Sequence, residues 1–194
     1  MKRTNVDEIK NVLFNRLSEE SYLHSVRTME IAEILADIHA VDSGKTVIAA
    51  LLHDYARDLS NEELIASAKK SGIEINWVEE KVPYLLHGPI GAMQVKEEFD
   101  ITDESILNAI RKHTYGATEM NQLDRIVYIA DLIEPGRDGG RIGKVRAMAE
   151  IDLNDAFKLA YEDQISSLIN QGRYIHPITA EVWNRIVNME KTNE

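Results

Sequence analysis

The stretch from residue 49 to residue 60, AALLHDYARDLS, places two strongly polar residues directly after an apolar helical run. Ala49 to Leu52 predict a helix face that is buried in the protein, and His53 and Asp54 follow at once. Polar groups this close to a buried face carry a desolvation cost unless partners satisfy them. Chance gives a His-Asp dipeptide in a sizeable share of chains with this composition. The pair therefore indicates a site only if other polar residues meet it.

The rest of the chain shows the spacing of amphipathic helices, with apolar residues recurring every three to four positions. No stretch shows the sustained alternation of a half-buried strand. Ser60 with Glu63 has the spacing of a capping box, which supports a helix start there. The sequence predicts an all-α fold in a single domain, residues 1–194. We expect helices at 5–17, 20–39, 44–57, 60–70, 76–86, 89–99, 103–114, 121–132, 143–149, 153–171 and 179–191.

Composition narrows the classes of partner. The formal net charge of −11 argues against a nucleic-acid partner, because the basic surface that binds phosphate backbones is missing. No apolar run predicts a signal peptide or a membrane span. Cysteine is absent, which excludes thiolate metal sites and fits a cytoplasmic location. A small anionic substrate needs a bound cation or a local basic patch. Oligomeric state, including a homodimer, stays open.

Four further polar residues stand on or at the end of predicted apolar helix faces. His24 lies in SYLHSVRTMEIAEILADIHA, His87 in VPYLLHGPIGA and His113 in ILNAIRKHTYGA. A lone histidine on such a face is more often a hydrogen-bonded core residue than a ligand. Asp131, in DRIVYIADLIEP, is the most anomalous carboxylate, because aspartates are almost never fully buried unless they are paired or bound to a metal.

Taken together, these residues form an ordered set in which almost every member comes from a different predicted helix. Such groups can converge at one place in a helical bundle. Three or four nitrogen and oxygen ligands that leave open water positions are typical of a catalytic metal site. The remaining histidines carry less weight, since His39 ends a helix and His176 precedes Pro177 in a predicted loop.

A glycine-rich segment, GRDGGRIG at residues 136–143, follows Asp131 and admits two interpretations. Composition alone favours a plain flexible loop. The alternative is a loop whose backbone N–H groups and arginines meet phosphate oxygens.

The order H…HD…H…H…D resembles the HD-domain superfamily of metal-dependent phosphohydrolases. Within it the chain is most similar to the YqeK family, the symmetrical bis(5'-nucleosyl)-tetraphosphatases. The resembling motifs between residues 21 and 137 are YLHS, AALLHDYAR, LLHGPIGA, RKHTYG and ADLIEPGR. In the C-terminal part, residues 150–194, the stretch GRYIHPIT at 172–179 also looks like the family, as a nucleotide-pocket loop.

The resemblance implies a metal, with iron favoured over manganese, cobalt and zinc. Its implied ligands are His24, His53, Asp54 and Asp131. The implied substrate-binding residues are His24, Asp54, His87, His113, Thr114, Asp131, Arg137, Tyr174, Ile175, His176, Pro177, Ile178 and Thr179. His87 and His113 either hold a second metal or contact the phosphates and transfer a proton, and we expect the latter.

The activity implied by the resemblance is hydrolysis of diadenosine tetraphosphate at its central phosphoanhydride, giving two ADP by way of a metal-bound hydroxide. Asp54, His87 and His113 would be the catalytic residues. Two other hypotheses keep the same site. An HD-domain enzyme could act on a nucleoside monophosphate, a cyclic dinucleotide or a guanosine polyphosphate, or the chain could be a nucleotide sensor without turnover.

Overall fold

The structure, a computed structural model, describes residues 5–191, with side chains described to residue 188. The described residues contain helices and connecting turns and no strand, which confirms the all-α prediction. A short 3₁₀ segment, Pro83–Leu86, separates α5 from α6. The helices are α1 (Val6–Arg16), α2 (Glu19–Ile38), α3 (Ser43–Leu52), α4 (Asn61–Lys70), α5 (Trp77–Lys81), α6 (His87–Glu98), α7 (Glu104–Lys112), α8 (Gln122–Ile133), α9 (Ile142–Ala149), α10 (Leu153–Asn170) and α11 (Ile178–Lys191).

Four helices form the centre of the bundle. Helix α2 packs against α3 and α8, and α7 packs against both α3 and α8. Ala49 and Ala50 on α3 are fully buried, and side chains this small permit close approach of neighbouring helices. Helices α9 and α10 pack on α8, and α6 packs on α7. The ends of α3, α6, α7 and α8 thus lie around one shared core.

Helix α3 ends at Leu52, whereas the sequence predicted a helix that continues to residue 57. The backbone beyond it bonds three residues back, from the N–H of Tyr55 to the carbonyl of Leu52 and from Arg57 to Asp54. The His53 Nδ1–H donates to the carbonyl oxygen of Ala50, which in a continued helix would accept from the N–H of Asp54. His53 and Asp54 therefore lie in a turn and not on a helix face.

The predicted helix at 76–86 is divided at Pro83. Proline has no N–H to donate and restricts the residue before it, and Val82 takes a ψ of 70°. His87 consequently starts α6, whereas the sequence suggested that it ends a helix. No described helix is both long and apolar enough to cross a bilayer.

Candidate functional site

The polar residues singled out in the sequence meet in one place, which is built largely from helix ends. His53 caps the C-terminus of α3, His113 caps that of α7, and His87 begins α6. Asp131 lies in the last turn of α8, and His24 lies in the second turn of α2. All of these histidines are buried.

Three of the four rings are oriented in the same way. His53, His87 and His113 each donate Nδ1–H to the carbonyl oxygen three residues earlier, at 2.7, 2.5 and 2.7 Å. Histidine side chains commonly satisfy the free carbonyls at helix ends in this manner. The bond fixes the tautomer and leaves the Nε2 lone pair free, as metal-binding histidines require.

The fourth ring, His24, is oriented by Glu134, a residue that the sequence reasoning missed. Glu134 Oε1 lies 3.2 Å from His24 Nδ1, and Oε2 accepts hydrogen bonds from Arg27 Nε and from the N–H of Gly136, both at 2.5 Å. Burial tends to raise the pKa of Glu134, but the bonds from Arg27 and Gly136 outweigh it and lower this pKa. The only signal in the sequence was its place three residues after Asp131, where a glutamate ending a helix looks ordinary.

Asp54 lies between two pairs of histidines. The Nε2 atoms are 3.2 Å apart in the pair of His24 and His53, and 2.9 Å apart in the pair of His87 and His113. Asp54 Oδ2 is 3.5 and 3.3 Å from the first pair, and Oδ1 is 3.2 and 3.4 Å from the second. Each oxygen of one carboxylate therefore faces a different pair of Nε2 atoms.

Asp131 lies next to the pair formed by His24 and His53 and faces the adjacent cavity. Its Oδ1 lies 2.9 Å from His24 Nε2 and 3.9 Å from His53 Nε2, and its side chain is 22% exposed. Arg137 Nη2 donates to the same oxygen at 3.1 Å. Burial tends to lower the pKa of His24, but the hydrogen bond and charge of Asp131 raise it overall.

These donors suit a metal cation. Facing Nε2 lone pairs repel each other unless a proton or a cation lies between them. Asp54 is fully buried, and its Oδ1 has no hydrogen-bond donor among the described residues. Burial tends to raise the pKa of Asp54, but its interactions with the rings of His53, His113 and His87 lower it well below the usual value. Within the part of the chain that the structure describes, two groups have ligand atoms within 4.8 Å of one another, namely His24, His53 and Asp131, and His53, Asp54 and His113.

Gly88 allows the second pair of histidines to meet. A Cβ at Gly88 would lie 3.1 Å from both the Arg111 carbonyl oxygen and Thr114 Oγ1, so the start of α6 rests against the end of α7. Thr114 Oγ1 in turn lies 3.4 Å from His87 Nε2 and 3.3 Å from His113 Nε2. Thr114 thus contacts both rings. This position suits the substrate-binding role that the resemblance implies for it.

The cluster opens into a cavity of about 750 Å³, within the usual size range for small-molecule sites. Its walls combine three tyrosines with three arginines, a lining suited to an aromatic base and to phosphates. Of these tyrosines and arginines, the sequence analysis did not single out Arg57, Tyr84, Tyr115 and Arg173. Arg57 NH1 also donates to Asp54 Oδ2 at 2.8 Å.

Some of the predicted substrate-binding residues line this cavity, and others do not. Of those after α10, Tyr174, His176 and Thr179 line this cavity, whereas Ile175, Pro177 and Ile178 do not. His87, His113, Thr114, Asp131 and Arg137 line it as well. His24, His53 and Asp54 are not among its lining residues and lie in the buried cluster behind it.

A buried network holds the pocket loop in place. The His176 ring stacks on the Tyr115 ring with centroids 3.9 Å apart and 6° between their planes. Glu79, only 3% exposed, places Oε1 3.5 Å from His176 Nε2 and 3.4 Å from the Tyr115 hydroxyl. The loop after α10 is thus fixed to α5 and to the end of α7.

Comparison with known proteins gives the family. A model of the HD domain matches residues 22–136. A Halalkalibacterium halodurans protein named symmetrical bis(5'-nucleosyl)-tetraphosphatase is 37% identical over 177 residues, 90% of this chain and 93% of the relative. A Bacillus subtilis protein of the same name is 34% identical over 184 residues, 95% and 98% of the two chains.

A crystal structure from Clostridium acetobutylicum, described as a predicted HD superfamily hydrolase involved in NAD metabolism, superposes with a TM-score of 0.91 at 37% identity. The match covers 95% of this chain and 98% of that one. The resemblance seen in the order of histidines and aspartates is confirmed, and the chain belongs to the HD-domain family.

Proposed function

We propose that the chain hydrolyses dinucleoside tetraphosphates, cleaving diadenosine tetraphosphate at its central phosphoanhydride to give two molecules of ADP. The observation that carries the proposal is the convergence of four histidine Nε2 atoms and two aspartates beside a cavity lined by tyrosines and arginines. The names of the relatives from Halalkalibacterium halodurans and Bacillus subtilis support the same reaction.

Membership of the HD-domain family implies that the chain binds a divalent metal. His24, His53, Asp54 and Asp131 would hold it, since each of the two Nε2 atoms lies within 3.9 Å of one oxygen of Asp54 and one oxygen of Asp131. Such an ion lowers the pKa of water and offsets charge on phosphoryl oxygens. We propose iron as the native metal, and metal analysis of the purified protein would distinguish it from manganese, cobalt and zinc.

The chain's own groups would position the phosphates. Arg137 lines the cavity beside Asp131 and can offset charge on a phosphoryl oxygen. In the reaction, the attacking water bonds to one central phosphorus and gives up a proton, the bridging P–O bond breaks, and the leaving nucleoside diphosphate takes a proton. His87 or His113, when its ring is doubly protonated, would donate that proton from Nε2, because its Nδ1–H is held by a backbone carbonyl.

His87 and His113 also admit the role of ligands to a second metal, because they face Asp54 Oδ1 much as His24 and His53 face Oδ2. We propose contact with phosphate and proton transfer around one metal. One equivalent of metal per active chain is the expected result. Two equivalents, one of which is lost when His87 is replaced by alanine, would assign the pair as ligands.

Replacement of Asp54 by asparagine tests the proposal most directly. The change keeps the shape but removes the charge that both pairs of histidines face, and we expect at least a hundredfold loss of kcat together with loss of bound metal. Hydrolysis of diadenosine tetraphosphate is followed by chromatography of the products. ADP alone indicates central cleavage, whereas ATP with AMP would contradict it.

The matched control is Asp37→Asn, an exposed aspartate on α2. It should retain wild-type activity and metal content. Full activity of a folded, metal-free Asp54→Asn protein would contradict the proposed role of the cluster. If the protein hydrolysed nucleoside monophosphates or guanosine polyphosphates in preference to diadenosine tetraphosphate, the site would be correctly assigned but its proposed substrate would be wrong.

A further inference from the structure

A second, smaller cavity of about 360 Å³ lies next to the one described above. Both cavities are lined by His113, Thr114, Asp131 and Arg137, so the smaller one also opens on the candidate reaction centre. Gln164, Leu168 and Arg173 line both cavities too, and this shared wall is called the partition below. The two cavities are therefore two chambers of one cleft, and His113, Thr114, Asp131 and Arg137 form the polar floor that they share.

The glycine-rich segment at residues 136–143 forms one wall of the smaller chamber. Asp138 and Ile142 from this segment line it, opposite residues of α10. Arg141 pairs with Glu162 of α10 at 2.9 Å. A Cβ at Gly140 would lie 2.8 Å from Asp163 Oδ2 and would displace that carboxylate, and the φ of +51° also favours glycine here.

The partition is held rigidly on the α10 side. Gln164 Nε2 donates to the Thr114 carbonyl at 3.1 Å, and Gln164 Oε1 accepts from the Tyr128 hydroxyl. The guanidinium of Arg173, which is exposed, has no hydrogen-bond or ion-pair partner among the described residues. Where the two chambers meet, the Gln164 amide is therefore held by hydrogen bonds, and the Arg173 guanidinium is available to bind a ligand.

We propose that the smaller chamber binds the second nucleoside diphosphate half of the substrate, while the larger chamber binds the first. This inference rests on the proposed function. Central cleavage requires equal halves on either side of the bond that breaks, so a single nucleotide pocket accounts for only half of the substrate. Two chambers that meet at His113, Asp131 and Arg137 provide for both halves.

The charges in the smaller chamber give the orientation of the bound half. Asp138 and Asp163 would repel phosphate oxygens but can accept hydrogen bonds from ribose hydroxyls, as carboxylates do in dinucleotide sites. The phosphates would instead lie toward Arg137 and Arg173 on the shared floor and partition. Within the glycine-rich segment, Arg137 therefore faces the phosphates, whereas Asp138 and Ile142 form a wall around the nucleoside.

Ser167→Trp tests the second chamber by filling it. Ser167 lines only the smaller chamber, whereas its exposed neighbour Ser166 lines neither, so Ser166→Trp is the matched control. Binding to metal-loaded protein is measured by calorimetry for ADP and for a diadenosine tetraphosphate whose central bridging oxygen is replaced by methylene. Hydrolysis of the natural compound is measured in parallel.

The expected result is a loss of about tenfold or more in affinity for the analogue in Ser167→Trp, with ADP affinity within about twofold of wild type. Ser166→Trp should leave both unchanged. If the Ser167→Trp protein has a clearly lower melting temperature than the wild type, Asp163→Ala is used instead. We expect it to weaken binding of the analogue by a smaller factor. Unchanged affinity for the analogue in both variants, or an equal loss for ADP and the analogue, would overturn the inference.

Binding separates this inference from the proposed function. If the wild-type protein binds the analogue but does not hydrolyse diadenosine tetraphosphate, the proposed function fails. The effect of Ser167→Trp on analogue affinity still decides whether the second chamber is a nucleotide site.

Discussion

Glu134 shows how a residue that is not among the candidate ligands can control one. Its carboxylate joins His24 Nδ1, Arg27 and the N–H of Gly136, and it is 1% exposed. A carboxylate on the outer nitrogen of a metal-binding histidine fixes the ring and makes it a better donor. The position of His24 Nε2 therefore depends on Glu134.

We expect Glu134→Gln to weaken metal binding by about 10- to 100-fold, the usual cost of losing such an outer partner. Glutamine offers one carbonyl oxygen where Glu134 serves three donors, so the His24 ring loses its fixed orientation. Competition with a chelator of known affinity measures the effect without reference to turnover.

Glu62→Gln, at an exposed position on α4, is the control for loss of one negative charge. It should bind metal as the wild type does. Equal metal affinity in Glu134→Gln would show that His24 does not need this carboxylate.

At the scale of helices, the sequence predicted the number and order of the elements well but misplaced the ends that form the site. Apolar periodicity predicts where a helix runs. It does not predict that a histidine side chain takes the carbonyl oxygen of Ala50 and ends α3 early. The same competition occurs at the end of α7, with His113 and the carbonyl of Ile110.

Gly88→Ala is a prediction about the contact between α6 and α7. The new methyl group would meet the Arg111 carbonyl oxygen and Thr114 Oγ1 at 3.1 Å, so the helices must separate. We expect a loss of about 1–3 kcal/mol in unfolding free energy, as for overpacking, with reduced activity because His87 moves away from His113. Urea denaturation and steady-state kinetics measure the two effects.

Gly143→Ala on α9 makes the same chemical change where a Cβ meets nothing within 4 Å. Because alanine favours helix over glycine, this control should be neutral or more stable by up to about 1 kcal/mol. A Gly88→Ala protein that matches it in stability would show that the contact tolerates a methyl group.

On the scale of the whole molecule, convergence of the site could be predicted because its histidines and Asp131 each stood on a separate apolar face. The two chambers could not, because they depend on how α10, the segment at 136–143 and the loop at 173–179 dock on the bundle. Nothing in the local pattern of Gln164 or Arg173 indicates a partition. Tertiary packing alone brings these residues to His113.

Removal of the metal tests how far the ion stabilises the fold. A ligand present at a hundredfold excess over its Kd adds about 2.7 kcal/mol of stability. For a chain of this size that corresponds to a melting temperature higher by roughly 5–10 °C. Calorimetry of chelator-treated protein, before and after metal is restored, measures the shift.

Asp131→Asn should show a much smaller shift, because it removes one carboxylate of the first ligand group. A shift of the same size in this variant would place the stabilising ion elsewhere.

The way in which the four rings are anchored has a consequence for how this protein can change. Three rings bond to the backbone at their own helix ends and His24 is held by Glu134 at the end of α8, so the spacing of the four Nε2 atoms depends on how these helices pack. A substitution deep in the core of α3 or α7 therefore alters the geometry of the metal centre even when it touches no ligand. Stability and catalysis cannot be adjusted independently here, so many core positions carry a functional constraint as well as a structural one.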